Sequence, residues 1–421
     1  MLSTRGKNVF LVTQALLVAL LPECRDYELA PARPGERWPA GAGSEGVDSA
    51  PSAGAFHSGG DTNAPHGGRY SLPAGGALAG EAGGASGNGA TEIVAGELAS
   101  QSGRPKTSLP CLPGRTLDSL QPFTAVAARR GARGSEQLYA VLPASSQLAT
   151  TSRDDPNGSI WSPWQCFGNL SAASRLAATE LLDGSAWVVA TTRTNGLFAR
   201  SDGGSDMSLA SWSSLELPRE SARLDDVAAV RGAEHRTYLY VADAGRVFFR
   251  YSASAGHPSE FSNWLDLGFE DVLRLSATVL PNLAQIVFAL KRDGTIEFAY
   301  QTETTPSASF DSVRAIPVTT PPSAVALAAA LQEGAGVALW VLDGKGVVHA
   351  TALAEERADP RGPWSQWLRL PDPPDYLQRF TSLAALSALE PNHRRMLYAV
   401  SDTGQAAYWG ETDWQRLARA E

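Results

Sequence analysis

The most regular feature of this chain is a pattern of short apolar segments separated by polar turns, which repeats about every 50 residues between residues 120 and 417. Each repeat ends in a signature of residues spaced three positions apart, most of them bulky, with Trp at the centre of every copy but one. The central residues are Trp164, Trp212, Trp264, Val313, Trp367 and Trp414. A period of this length is typical of propeller blades rather than of helical repeats.

Three apolar segments precede each signature in a constant order. The first is small and rich in Ala, as in residues 227–230, and the second is β-branched and aromatic, as in residues 239–242. A turn with Gly follows in five of the six repeats, as at Asp293-Gly294, and a third segment returns from it. Four antiparallel strands per repeat predict an all-β fold, a β-propeller of six four-stranded blades within residues 107–421.

Two alternatives to this architecture stay open in the sequence. The Ala- and Leu-rich segments near residues 325 and 385 also fit helices, although their register with the other copies favours strands. Residues 109–112 align loosely with residues 164–167. A seventh blade, or a stray strand that closes the ring, therefore competes with a simple linker end.

The N-terminal part of the chain differs in composition from the repeats. Most positions between residues 41 and 90 are Gly, Ala, Ser or Pro, and large apolar side chains such as Phe56 and Tyr70 are sparse. Such a segment cannot offset its ordering entropy by burying a core. Residues 24–106 are therefore predicted to form a disordered, flexible spacer in front of the propeller.

Residues 1–23 have the pattern of a signal peptide. Arg5 and Lys7 precede an apolar run over residues 9–21, which is too short to span a bilayer as a helix. The segment Leu21-Pro22-Glu23-Cys24 resembles the lipobox of bacterial lipoproteins, except that Glu23 stands where that motif has a small residue. We expect export, with a lipid on Cys24 attaching the chain to a membrane of the cell envelope. In the alternative, Cys24 only ends the signal and the protein is secreted.

The remaining cysteines are Cys111 and Cys166. An exported protein meets oxidising conditions in which disulfides persist, so these two are a candidate disulfide pair. The sequence does not reveal whether their sulfurs meet.

Charge and motifs argue against several function classes. The formal net charge of -9 disfavours nucleic-acid binding, which needs a basic surface. The six histidines lack zinc-site spacing, and the sequence has neither a nucleophile elbow nor a phosphate-binding loop. Adjacent acids such as Asp225 and Asp226 should point to opposite faces of a strand and so make no obvious acid and base. We expect no catalytic residue, metal site or cofactor.

The repeats resemble those of the PLL-like β-propeller family, relatives of the fucose-binding lectins, whose blades combine an apolar strand, an Asp-Gly-like hairpin and a Trp-containing terminal strand. The resemblance covers about residues 120 to 417, and the chain departs from it at Val313 and at Ser145-Ser146. The resemblance implies sugar binding between neighbouring blades without catalysis.

Candidate sugar-binding residues follow from the chemistry of lectin sites, which offer an aromatic face and a few polar groups. Trp161 and Trp364 occupy the first position of the signature, nearer a loop, and are expected to be more exposed than the central tryptophans. Asp293 and Asp343 in the hairpins could accept hydrogen bonds from sugar hydroxyls. The alternatives are that both indoles pack between blades and that both acids serve their turns.

The leading hypothesis is thus a surface-exposed, non-catalytic propeller that binds glycans or glycoconjugates. A protein-interaction or structural scaffold of the cell envelope is the main alternative, and an exported glycosidase or lyase is a weaker one. Because a propeller can assemble a site from different blades, the sequence alone does not exclude the enzyme.

Overall fold

The computed structural model describes residues 116–419, apart from 118–122, 132–133, 143–146, 156–159, 171, 203–210, 221–222, 257, 333–335, 354–358, 378, 387–395, 404 and 411–412. The chain divides into the units Met1–Glu97 and Leu98–Glu421, and the described residues belong to the second unit. The predicted signal peptide, the whole predicted spacer, and Cys24 and Cys111 lie outside the described residues.

Six antiparallel sheets of four strands follow one another along the chain. The first strand of each sheet contacts the first strand of the next, and the sixth contacts the first, so the sheets close into a ring. The first strands are β1 (Ala125–Arg130), β6 (Ala173–Glu180), β10 (Leu224–Arg231), β14 (Val272–Val279), β18 (Ala324–Gln332) and β22 (Phe380–Leu386). This arrangement confirms the predicted six-bladed β-propeller. The blades are numbered 1 to 6 in chain order.

The second strand of each blade is the most deeply buried. These strands are β2 (Glu136–Leu142), β7 (Ala186–Thr192), β11 (Thr237–Asp243), β15 (Gln285–Lys291), β19 (Gly336–Asp343) and β23 (Met396–Ser401). Their β-branched and aromatic side chains pack into both neighbouring blades.

The third strands return from the hairpin turns and the fourth strands form the outer edge of each blade. The third strands are β3 (Gln147–Arg153), β8 (Leu197–Asp202), β12 (Arg246–Tyr251), β16 (Ile296–Tyr300), β20 (Val348–Ala352) and β24 (Ala406–Trp409). The fourth strands are β5 (Gln165–Asn169), β9 (Ser213–Ser214), β13 (Leu265–Asp266), β17 (Arg314–Ala315), β21 (Leu368–Arg369) and β25 (Trp414–Arg416). Each central signature residue starts the fourth strand or directly precedes it.

The segments near residues 325 and 385 are strands, so the helical alternative was wrong for both. Among the described residues, short 3-10 turns lie at Ala233–His235 and Asp375–Leu377. No helix among the described residues has the length and apolar character to cross a membrane. Small side chains allow the six first strands to lie close together around the axis.

Both ends of the described region lie on blade 1. The C-terminal strand β26 (Ala418–Arg419) pairs in parallel with β4 (Ile160–Trp161). Thr116 forms an antiparallel bridge to Gln165, and the Leu117 amide donates to the Trp164 carbonyl at 2.9 Å. The described residues therefore make six blades, and residues 109–112, from which a seventh was considered, lie outside them.

A buried polar network joins blade 6 to blade 1. The Glu136 carboxylate pairs with the Arg153 guanidinium and accepts a hydrogen bond from the Tyr398 hydroxyl. All three side chains are almost fully buried. Burial first, and then the neighbouring Glu136 carboxylate, raise the pKa of Tyr398 well above its usual value. This network ties the last blade to the first.

Candidate functional site

Trp161 lies inside the protein, in contrast to the exposure expected from the sequence. Only 1% of its surface is accessible. The ring meets Tyr398 of blade 6 edge-on, with ring centroids 5.7 Å apart, and the Arg153 guanidinium lies 5.2 Å from its centre. A side chain in this position packs two blades together and presents no face to a sugar.

Trp364 is also buried, with 6% of its surface accessible. Its ring meets Phe288 of blade 4 edge-on at 5.8 Å, and its indole N–H donates to the Pro360 carbonyl at 3.1 Å. The expectation of exposure was therefore wrong for both residues. Neither indole offers the platform that sugar stacking requires.

Local backbone structure explains why the first signature position faces inward. Trp364 forms an antiparallel bridge with Leu353 at the end of the third strand. The next residue, Ser365, accepts a hydrogen bond from the Ala352 amide through its hydroxyl at 3.0 Å. Ser162 holds the Ser152 amide in the same way at 2.9 Å. These bonds fix the chain so that the preceding indole points into the blade.

The two hairpin acids serve their own turns. The Asp293 carboxylate accepts the Thr295 amide at 2.8 Å, and this bond is the main cause of its lowered pKa. Asp343 accepts the amides of Lys345 and Val347 at 2.8 and 2.9 Å, and His349 lies 3.2 Å away. Partial burial raises the pKa of Asp343, but these hydrogen bonds outweigh it and the net shift is downward. A sugar-binding role for either acid stays a prediction.

Cys166 on β5 is disulfide-bonded. Its partner lies outside the described residues, so pairing with Cys111 stays a prediction. The nearby Thr116–Gln165 bridge brings the chain that follows Cys111 against the same strand.

The central tryptophans divide into two groups. Trp164 and Trp414 are buried, as expected. Trp212, Trp264 and Trp367 are only partly buried, which the sequence did not predict. Each of these three indole N–H groups is itself buried and has no hydrogen-bond partner among the described residues. Part of the ring is thus open to solvent at three equivalent positions of the repeat.

In blade 3 the partly exposed indole is held by a buried arginine. The Arg250 guanidinium on β12 lies 4.3 Å from the ring centre of Trp264 and 4.5 Å from that of Phe261. The nearest carboxylate, that of Glu216 after the outer strand of blade 2, is 3.9 Å away on a mostly exposed side chain. Within the described residues, Nε and Nη2 of Arg250 have no hydrogen-bond partner. Burial lowers the pKa of Arg250 to about 10, and Glu216 acts in the opposite direction.

Blade 2 has an arginine at the equivalent position, which packs against an aromatic ring of blade 1. The Arg200 guanidinium on β8 lies 4.4 Å from the ring centre of Phe167 and donates to the Phe167 carbonyl. Trp212 meets the same Phe167 ring edge-on at 5.9 Å. Gly168 allows this approach, because a Cβ there would lie 2.7 Å from the Arg200 Nη1 atom. Arg250 contacts Trp264 directly, whereas Arg200 and Trp212 are linked through the Phe167 ring that both contact. We call these two sites the arginine–tryptophan shelves.

Sequence reasoning missed both arginines. The signal was present, since Arg200 and Arg250 each follow three apolar residues of the third strand, ahead of a Trp signature. Blade 4 has Ala299 and Val313 at the equivalent positions, and blade 5 has Thr351 with Trp367. A shelf with both members is thus confined to blades 2 and 3, in the part of the chain that the structure describes.

Asp225 and Asp226 both line the cavity at the propeller axis, although strand alternation predicts opposite faces. The pairing of β10 with β11 shifts by one residue between Leu224 and Asp226. Such a bulge places two consecutive residues opposite one partner and breaks the alternation. Among the described residues no cluster of His, Cys, Asp and Glu could hold a metal ion.

Comparison with known proteins gives a match in structure only. No family model and no curated protein matches the sequence. AofleA from Arthrobotrys oligospora is 10% identical over 70% of this chain and 85% of its own, with a TM-score of 0.50. NanB, in a structure with Optactamide, is 9% identical over 74% and 71%, with a TM-score of 0.54. A fucose-specific lectin from Aleuria aurantia is 13% identical over 72% and 96%, with a TM-score of 0.48. The likenesses to AofleA and NanB show the propeller fold alone.

Proposed function

We propose that this propeller is a non-catalytic, lectin-like carbohydrate-binding protein whose sugar sites lie at Trp212, Trp264 and Trp367. The observation that carries the proposal is that these three repeat-equivalent indoles keep part of their surface open, whereas Trp161 and Trp364 are buried. The resemblance of the repeats to those of PLL-like propellers supports the same class of ligand.

The chemistry of a shelf suits a sugar. The partly exposed ring of Trp264 offers an apolar surface to the C–H face of a pyranose. The Arg250 guanidinium behind it limits ring motion, so little side-chain entropy is lost when a ligand stacks. The mostly exposed carboxylate of Glu216 lies 3.9 Å from the same guanidinium and can accept hydrogen bonds from sugar hydroxyl groups.

Export and surface display belong to the same proposal. The signal-like residues 1–23, the spacer-like residues 24–106 and the lipobox-like Cys24 support a propeller displayed from a membrane of the cell envelope. The intact mass of membrane-extracted protein tests it. A mature chain that begins at Cys24 and carries acyl chains is expected, and a soluble chain that begins elsewhere contradicts the lipid anchor.

Glycan-array binding by the full chain tests the function. We expect binding to a restricted set of glycans that the triple variant Trp212→Ala, Trp264→Ala, Trp367→Ala abolishes. The matched control is the double variant Leu265→Ala, Leu368→Ala, which removes exposed apolar side chains directly next to two of the indoles. This control should bind like the unmodified protein.

Two outcomes would overturn the proposal. The first is no binding on a broad array by folded protein, with recovery of a specific protein partner from cell envelopes, which favours the scaffold. The second is glycan binding that the triple variant retains in full, which places the sugar sites elsewhere. Turnover of a bound glycan would instead favour an exported glycosidase or lyase.

A further inference from the structure

A cavity of about 670 Å³ lies at the axis of the propeller and is lined by residues from all six first strands. It lies near the start of these strands, away from the outer-strand shelves. Five of the first strands carry a bulge at the same place, close to their first residue. Bulges often re-aim side chains next to functional sites.

The residues that follow the bulges divide the lining of the cavity into a charged half and a half of small side chains. The equivalent positions around the ring are Ala125, Arg175, Asp226, Arg274, Ala326 and Ser382. Blades 2, 3 and 4 thus contribute two arginines with an acid between them, and blades 5, 6 and 1 contribute small side chains. The small half leaves room for a ligand in front of the charged half.

The two arginines have few partners of their own. Arg175 has no hydrogen bond or ion pair within the described residues, and Arg274 donates to the carbonyl of the adjacent Leu273 at 2.7 Å. Burial, followed by repulsion from the Arg175 charge, lowers the pKa of Arg274. Both arginines line the same cavity, so an anion bound between them would offset this repulsion.

Asp226 compensates these charges poorly. Its two oxygens accept the Val227 amide at 3.0 Å and the Leu275 amide at 2.8 Å, which links blade 3 to blade 4. Burial raises the pKa of Asp226, and the two arginines oppose that shift. Both carboxylate oxygens thus bind backbone amides, and within the described residues Asp226 forms no ion pair with Arg175 or Arg274.

The other acid in the cavity has separate cationic partners. Asp225 pairs with Arg223 at 3.4 Å and with Arg292 at 3.7 Å. Four arginines and two aspartates line the cavity in all, because Arg193 and Arg223 join Arg175 and Arg274. The lining is formally positive in a chain whose net charge is -9. The cavity therefore favours anions.

We propose that the axial cavity binds the carboxylate of a small polar molecule, an acidic sugar or an organic acid, between Arg175 and Arg274. The planar fork of arginine matches a carboxylate with two parallel hydrogen bonds. Thr124, Thr381 and Ser382 line the cavity near the small half. The Thr381 hydroxyl donates to the Val400 carbonyl and can still accept a bond, and the Ser382 hydroxyl accepts the Val126 amide and can still donate one. This site is separate from the shelves and does not depend on their function.

Calorimetric titration of the full chain tests the proposal with D-glucuronate, D-malate, D-glucose and inorganic phosphate as probes. We expect at least one of the two carboxylates to bind and D-glucose not to bind. Arg175→Gln and Arg274→Gln should each weaken that binding about tenfold or more, because each removes charged hydrogen bonds. The matched control Arg369→Gln removes an equal charge from the exposed outer strand of blade 5 and should change nothing.

Binding by D-glucuronate alone would assign an acidic sugar, and binding by both carboxylates a general carboxylate site. Failure of both carboxylates to bind, or binding that neither arginine variant weakens, would overturn the proposal, as would phosphate binding without carboxylate binding. Arg175 has no hydrogen bond or ion pair to lose among the described residues, so its variant should keep the unmodified melting temperature even if Arg274→Gln destabilises the fold. Trp264→Ala should leave carboxylate binding intact, which separates this test from that of the shelves.

Discussion

Trp364 and Trp367 of blade 5 are three residues apart and differ in solvent exposure. Trp364 is buried against blade 4, whereas Trp367 keeps part of its ring exposed. Blade 3 shows a milder contrast, with Phe261 and Trp264 both only partly buried and both against Arg250. Residue type alone therefore does not tell a packing aromatic from one that can meet a ligand.

The difference comes from the backbone to which each residue is attached. Trp364 lies on an antiparallel bridge, and Ser365 holds it in place by accepting a backbone amide. Trp367 directly precedes an outer strand of two residues, at the edge of the sheet. An edge position leaves one side of a side chain without a neighbouring strand. Part of the ring then stays open unless another aromatic ring packs against it, as Phe123 does at Trp164 and Phe380 at Trp414.

The largest expected effect is on the buried pair. Trp161→Ala and Trp364→Ala should each lower the free energy of unfolding by about 3 to 5 kcal/mol, because each leaves a cavity between blades. Trp264→Ala should cost about 1 to 2 kcal/mol, since this residue is only partly buried. Urea unfolding of the three variants measures the difference. Equal losses at positions 161 and 264 would break the comparison.

The stability of the contact between blades 6 and 1 at Trp161 should also depend on alkaline pH. Its neighbour Tyr398 has a raised pKa, so the folded state keeps it neutral while the unfolded chain ionises above about pH 10. The stability from this group is complete below pH 10 and is lost as the pH rises further, by about 1 kcal/mol from pH 10 to pH 11. Tyr398→Phe should show a correspondingly flatter decline in urea midpoint. An unchanged slope would mean that Tyr398 titrates normally.

A smaller effect is expected from the serine that holds Trp364. Ser365→Ala removes the acceptor of the Ala352 amide and should cost about 1 kcal/mol. It should also increase the acrylamide quenching of indole fluorescence, because Trp364 gains freedom to leave the blade. Ser213→Ala on the exposed strand β9 is the control and should change neither quantity. Quenching that stays constant in Ser365→Ala would assign the burial of Trp364 to packing alone.

The architecture was predictable because it rests on local patterns. Small first strands, β-branched second strands and Gly-containing hairpins recur in register, so even the Ala-rich strand β18 could be recognised by its position in the repeat. The aligned bulges were not predictable, since a one-residue shift such as that at Asp225 leaves no compositional trace.

The candidate site was predicted less well, because exposure depends on contacts between blades. The sequence predicted Trp161 to be more exposed than Trp264, and the structure shows the reverse. Nearness to a loop does not reveal a backbone bridge or the contact with a tyrosine of blade 6. Arg250 was overlooked because its role depends on Phe261 and Trp264 folding over it from later in the chain. Asp293 and Asp343 were correctly placed in turns, and the alternative that they serve these turns agrees with their hydrogen bonds.

Residue-resolved oxidation of tryptophan, measured by mass spectrometry after brief hydroxyl-radical exposure, tests the central claim most directly. The structure predicts rapid oxidation of Trp212, Trp264 and Trp367 and protection of Trp161 and Trp364. A glycan selected on the array should then slow the oxidation of the first group only. Faster oxidation of Trp161 or Trp364 than of Trp264, or protection of those two by the glycan, would contradict the account.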